Sequence, residues 1–203
     1  MLVNLFLHTP IEYKQIEKYQ FGALFVVSLY AIYNIKYTTE FMQINNFMAL
    51  YLFLETFFLP FYKLDTVFHH IVSISFINYM RMYPNLLPQI VDYNIIFLKV
   101  ETSSIFLCSS YFLKEAKNKS DNKLISYGYN VSNILFITSF FKYRGYDFCY
   151  YIVFNPEFYE AIIIKNDIIS EPYVYITITS FILLNFYWFL KILHVSIFKG
   201  VKQ

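Results

Sequence analysis

Charged side chains are scarce: they make up 15% of this 203-residue chain, against about 25% in an ordinary soluble domain. Hydrophobic residues fill 58% of it, which is the composition of a membrane protein. A net charge of only +2, with basic residues spread between apolar stretches, excludes a polyanion-binding surface, so no nucleic-acid partner is expected. There are two cysteines, Cys108 and Cys149, without CxxC spacing. They are expected to be reduced packing residues, with neither a disulfide framework nor a metal site. Four glycines and six prolines gather into no linker, and no repeat of about 20–50 residues is visible, so one domain is expected. Phosphate-loop, zinc-helix and nucleophile-elbow motifs are missing as well. The run from Met1 to Pro10 lacks a basic flank and a small-residue cleavage site, so it is not expected to act as a signal peptide.

Apolar length is what the chain has instead. A bilayer core of about 30 Å asks for roughly 20 apolar helical residues. Six segments approach this: Tyr19 to Ile35, Phe41 to Tyr62, Thr66 to Met82, Ile90 to Leu113, Leu124 to Phe154 with a break near Arg144-Gly145, and Val174 to Phe198. Alternating ten-residue segments are missing, which excludes a membrane β-barrel. The expected fold class is therefore all-α: an N-terminal cytosolic segment 1–18, a six-helix membrane domain 19–198 and a cytosolic tail 199–203. Lys14, Lys18, Lys63, Lys114, Lys117, Lys119, Lys123, Lys199 and Lys202 fall on one side of these spans. Glu157, Glu160, Asp167 and Glu171 mark the other side. The positive-inside rule then places both termini in the cytosol and leaves the Asn118-Lys119-Ser120 sequon unglycosylated. The 24 Phe and 21 Tyr beside one Trp reflect compositional bias and lipid contact rather than base stacking.

Ionisable groups inside a membrane are costly and usually face a bundle interior or polar cavity. His69 and His70 open the third segment and Glu101 lies in the middle of the fourth. Helical neighbours point about 100° apart, so one histidine at most faces a given site; His70 is taken as that one. A neutral imidazole there could serve as a general base, or simply bond a carbonyl near the membrane edge. Glu101, followed by Thr102, Ser103 and Ser104, is expected to take a polar partner or to form a packing seam between helices. In the last segment Asn185, Trp188, Lys191 and His194 recur every third residue along one stripe. Arg144 beside Gly145 either meets a lipid phosphate or anchors a helix break at the interface.

The order of these motifs resembles the TLC family, named for TRAM, LAG and CLN proteins. The matching elements are Phe68-His69-His70, Glu101-Thr102-Ser103-Ser104-Ile105-Phe106, Phe140-Phe141-Lys142-Tyr143-Arg144 and Asn185-Phe186-Tyr187-Trp188. The family pattern runs His-His, Glu-x-Ser-x-Pro-Phe, Phe-Phe-x-x-Arg and Asn-x-x-Trp; Ile105 replaces its proline. The resemblance implies a six-helix core in the endoplasmic reticulum or a related endomembrane, with a cavity that accepts lipid. The His-Asp-x-x-Asp-type pattern of the ceramide-synthase branch is missing, so the chain looks closer to non-synthase TLC-domain-containing proteins. The function this implies is lipid binding that influences membrane lipid composition or trafficking, with lipid-binding residues His69, His70, Glu101, Ser103, Arg144, Asn185 and Trp188. The alternative is lipid acyl transfer with acyl-coenzyme A as co-substrate, His70 as base and Glu101 as its orienter. No resident cofactor is expected in either case. Membrane lipids are the expected partners, with a membrane-protein partner or a second copy of the chain as further candidates.

Overall fold

The computed structural model describes residues 10–34, 41–58, 64–83, 87–165 and 167–198, and among them the secondary structure is helical with no strand. The helices are α1 (Pro10–Asn34), α2 (Phe41–Phe58), α3 (Leu64–Met82), α4 (Leu87–Lys99), α5 (Glu101–Lys117), α6 (Lys123–Ser139), α7 (Pro156–Ile162) and α8 (Ser170–Phe198). Between α6 and α7 the chain continues as π-helix through Phe140–Asp147 and Cys149–Val153. Local chemistry explains several boundaries. Asn122 and Asn155 each accept an amide N–H two residues on, from Leu124 and Glu157, which caps α6 and α7, and Pro156 opens α7 where its missing N–H costs nothing.

Two expectations about the spans change. No break occurs at Arg144-Gly145: the helix widens there, and Phe154 N bonds Cys149 O at 2.9 Å, five residues back. A widened turn carries an extra residue and rotates the side chains that follow. This is how Arg144, Asp147 and Phe148 become buried while Lys142 and Tyr146 stay outside. The fourth segment is not one regular helix either. It tightens at Val100, where Ser103 N bonds Val100 O at 3.3 Å, so Glu101 opens α5 while keeping its place near the middle of the Val91–Lys117 stretch. Among the described residues two stretches are long and apolar enough to cross a membrane, Val91–Lys117 and Ser170–His194.

Ring contact between Tyr30 and Phe47 joins the end of α1 to the start of α2, and His70 meets Glu55 and Thr56 at the end of α2. Asp65 on α3 bonds Trp188 and Lys191 on α8, while Tyr79 bonds Ser170, so α3 and α8 are antiparallel. Lys18 pairs with Glu115 at 3.1 Å. The starts of α1 and α3 and the ends of α2, α5 and α8 therefore share one end of the bundle. Helices α5 and α6 approach closely through small residues: Ser132 donates to Phe106 O at 3.0 Å, and a Cβ on Gly128 would stand 3.7 Å from Leu113. Val174, Ile178, Phe181 and Leu184 bury one face of α8, while Ile176, Leu183, Phe186 and Leu190 leave the other bare. An unpartnered apolar face of that kind suits hydrocarbon.

At the opposite end a relay of hydrogen bonds ties α3 to the loop before α8. Ile164 N donates to Ser170 Oγ, Ser170 meets the Tyr79 hydroxyl, and Tyr79 donates to Ile162 O. Beside it Asp167 accepts from the Ile169 amide at 3.0 Å and the Tyr83 hydroxyl at 2.9 Å. The Ile169 amide, then Tyr83, hold this carboxyl below its ordinary 3.8. A depressed carboxyl stabilises the fold above its unfolded pKa and loses that contribution as pH falls through the folded value. Protection of the Ile169 amide, corrected for intrinsic exchange rate, is therefore expected to drop only below about pH 4. Asp167→Asn should remove that pH dependence; an unchanged profile in Asp167→Asn would reject the assignment.

Candidate functional site

A cavity of about 90 Å³ lies between α2, α3, α4, the π-helical stretch and α8. Its apolar walls include Met48, Leu52, Phe76, Phe97 and Phe181. Asn45, His69, Ser73, Asn94, Glu101, Arg144 and Asn185 supply its polar surface. Three of these have buried atoms with no hydrogen-bond partner: Asn45 Nδ2, His69 Nδ1 and Asn94 Nδ2. Asn45 and Asn94 are only 3% and 4% exposed. Buried polar groups are almost always satisfied; these three gather on one small cavity, while others, such as Ser28 Oγ and Ser110 Oγ, lie away from it.

Arg144 organises one wall. Its Nε donates to Ser103 Oγ at 3.1 Å, and Ser103 donates in turn to Val100 O at 2.9 Å. Its guanidinium lies 3.9 Å from Glu101 Oε1 and stacks over the Trp188 ring at 5.2 Å. Trp188 is itself fixed, because its indole N–H donates to Asp65 Oδ2 at 2.8 Å while Lys191 Nζ reaches the same oxygen at 2.9 Å. His69 meets the Trp188 ring edge-on at 5.1 Å. A buried, doubly held cation of this kind can orient a carbonyl, hydroxyl or phosphate oxygen without a large ordering cost.

The structure therefore brings His69, Glu101, Arg144 and Asn185 onto one cavity, with Ser103 and Trp188 supporting Arg144 from behind. His70 is not part of it. It turns towards α2, where Thr56 spends its hydroxyl proton on Leu52 O at 2.7 Å and so accepts from His70 Nδ1 at 3.1 Å. His70 Nε2 then faces Glu55 Oε2 at 3.5 Å. The cavity histidine is His69, one helical step away from the expected His70. Arg144, expected either to meet a lipid phosphate or to anchor the interface, is buried on the cavity wall. Lys191 binds Asp65 at the bundle end and His194 lies exposed beyond it, so the stripe of α8 divides between cavity and surface.

Asn45, Asn94, Ser73 and Asp65 were not singled out from the sequence. For the two asparagines a signal existed, since each is a polar residue inside an apolar segment. Asp65 carried one as well, as an acid at the mouth of the third segment. Cys108 and Cys149 are unpaired, and no group of three His, Cys, Asp or Glu side chains that could hold a metal ion occurs among the described residues.

A family profile described as the TLC domain matches residues 13–194. No curated protein and no solved structure matches the chain.

Proposed function

The chain belongs to the TLC-domain family, whose members are generally membrane-associated, lipid-related proteins, and from that premise we propose that it binds lipid in the Arg144 cavity and thereby influences membrane lipid composition or trafficking. The observation that carries this reading is the gathering of three unpartnered polar atoms, on Asn45, His69 and Asn94, at one cavity with apolar walls. Six spans, an endomembrane location and cytosolic termini belong to the same proposal. The shared bundle end of Lys18, Lys114, Lys117 and Lys191 supports that sidedness. The missing His-Asp-x-x-Asp pattern supports a reading nearer the non-synthase members.

Native mass spectrometry of the purified protein is expected to find a lipid enriched over the bulk extract. Asn45→Leu with Asn94→Leu should lose it, because the two amides that fit the lipid's polar group are gone. The same double variant is expected to be more stable in lipid-free micelles, since each buried orphan group costs about 1–3 kcal/mol. A bulk-like lipid profile in the unsubstituted protein counts against the reading.

Acyl transfer from acyl-coenzyme A retains one specific support, the free Nδ1 of His69 at the cavity. Of the expected pair, His70 is engaged with Thr56 and Glu55, and Glu101 with Arg144. A labelled acylated lipid that forms in microsomes and disappears in His69→Ala would decide for this chemistry.

A further inference from the structure

A second, apolar pocket of about 220 Å³ adjoins the polar cavity, lined by Phe140, Phe141, Phe148, Ile182, Phe186 and Phe189. Arg144 and Asn185 line both. The widened π-helical turn opens this pocket against α8, and a Cβ built on Gly145 at its wall would meet nothing within 4 Å. Phe141 and Phe186 at its rim are exposed, so the pocket faces outwards from the bundle, where the bilayer would lie.

We propose that the two pockets are halves of one site for an electrically neutral amphiphile, whose uncharged polar group lies against Arg144 and Asn185 and whose apolar part lies beside Gly145. The inference rests on the lipid-binding reading and adds the chemistry of the lipid. Arg144 already has the Glu101 carboxylate on the same wall, so the pair brings no surplus positive charge. A phosphate buried there would be an uncompensated anion in a low-dielectric site. The unpartnered Asn45 and Asn94 atoms are amide N–H donors, and they fit the oxygen of an ester, amide or hydroxyl. The rest of the amphiphile runs out past Phe141 and Phe186 into hydrocarbon.

The test uses the full chain in phosphatidylcholine nanodiscs that contain equal amounts of dioleoylglycerol and dioleoyl phosphatidic acid, which share chains and differ by the phosphate. Lipids released in native mass spectrometry are expected to favour dioleoylglycerol by about tenfold. Glu101→Gln leaves Arg144 unbalanced and is expected to invert that preference, with phosphatidic acid restoring the variant's thermal stability. Gly145→Phe fills the apolar half and should lower dioleoylglycerol retention by about tenfold, and it decides the matter should Glu101→Gln not fold. Preference for phosphatidic acid in the unsubstituted protein, an unchanged ratio in folded Glu101→Gln, or undiminished retention in Gly145→Phe would each overturn the neutral two-part site while leaving lipid binding intact. Neither lipid enriched over phosphatidylcholine would overturn both readings.

Discussion

Glu101→Ala is expected to destabilise the bundle by about 3–5 kcal/mol, the usual result of leaving one member of a buried ion pair alone. The Arg144 side chain is 8% exposed and that of Glu101 13%, and a guanidinium cannot shed its proton to escape. At 3.9 Å the contact is too long for a hydrogen bond; what Glu101 supplies is charge compensation. Ser103 and the Trp188 face stay in place in the variant, but neither offsets a full charge. Removing both charges, as in Glu101→Met with Arg144→Met, should therefore recover most of the loss, because apolar replacement of a buried pair is often neutral or stabilising. Equilibrium unfolding in mixed micelles of the two single variants and the double variant gives the coupling directly. If the two single losses simply add, Glu101 and Arg144 do not compensate each other.

Phe158→Ala is expected to cost about 3–5 kcal/mol as well, through transfer and cavity terms together. Phe158 is 1% exposed and packs edge-on against Tyr93 at 5.1 Å, so α7 closes one end of α4. Ile168, ten residues on in the same connection, is 91% exposed, and Ile168→Ala should stay within about 0.5 kcal/mol. The same unfolding measurement separates them. Equal effects would mean that α7 does not belong to the core.

Composition hides that contrast between Phe158 and Ile168. The 155–172 stretch reads as an acidic connection because Glu157, Glu160, Asp167 and Glu171 dominate it, yet Phe158 and Ile162 in its capped helix are buried. A seven-residue helix is too short for its periodicity to register against four acids. The fifth segment failed differently: glycine next to arginine suggests a break, and hydrogen bonding to the fifth residue back leaves no mark in composition. Long apolar runs survived because burial in hydrocarbon or in the core requires them wherever the boundaries fall, and α2, α3 and α8 lie close to their expected limits.

The sequence by itself determined the helical class, the order of the apolar segments and the few polar residues within them. The order of His69-His70, Glu101, Arg144 and Asn185 carried the family resemblance that the profile match over residues 13–194 bears out. Only tertiary structure decided that His69 faces the cavity while His70 faces Glu55, and that Asn45 and Asn94 join it. One residue of helix rotates a side chain by about 100°, and that phase is set by packing against neighbouring helices rather than by any residue's own chemistry. For Arg144 the deciding turn is the π-helical one, which buries it beside Glu101 and over Trp188.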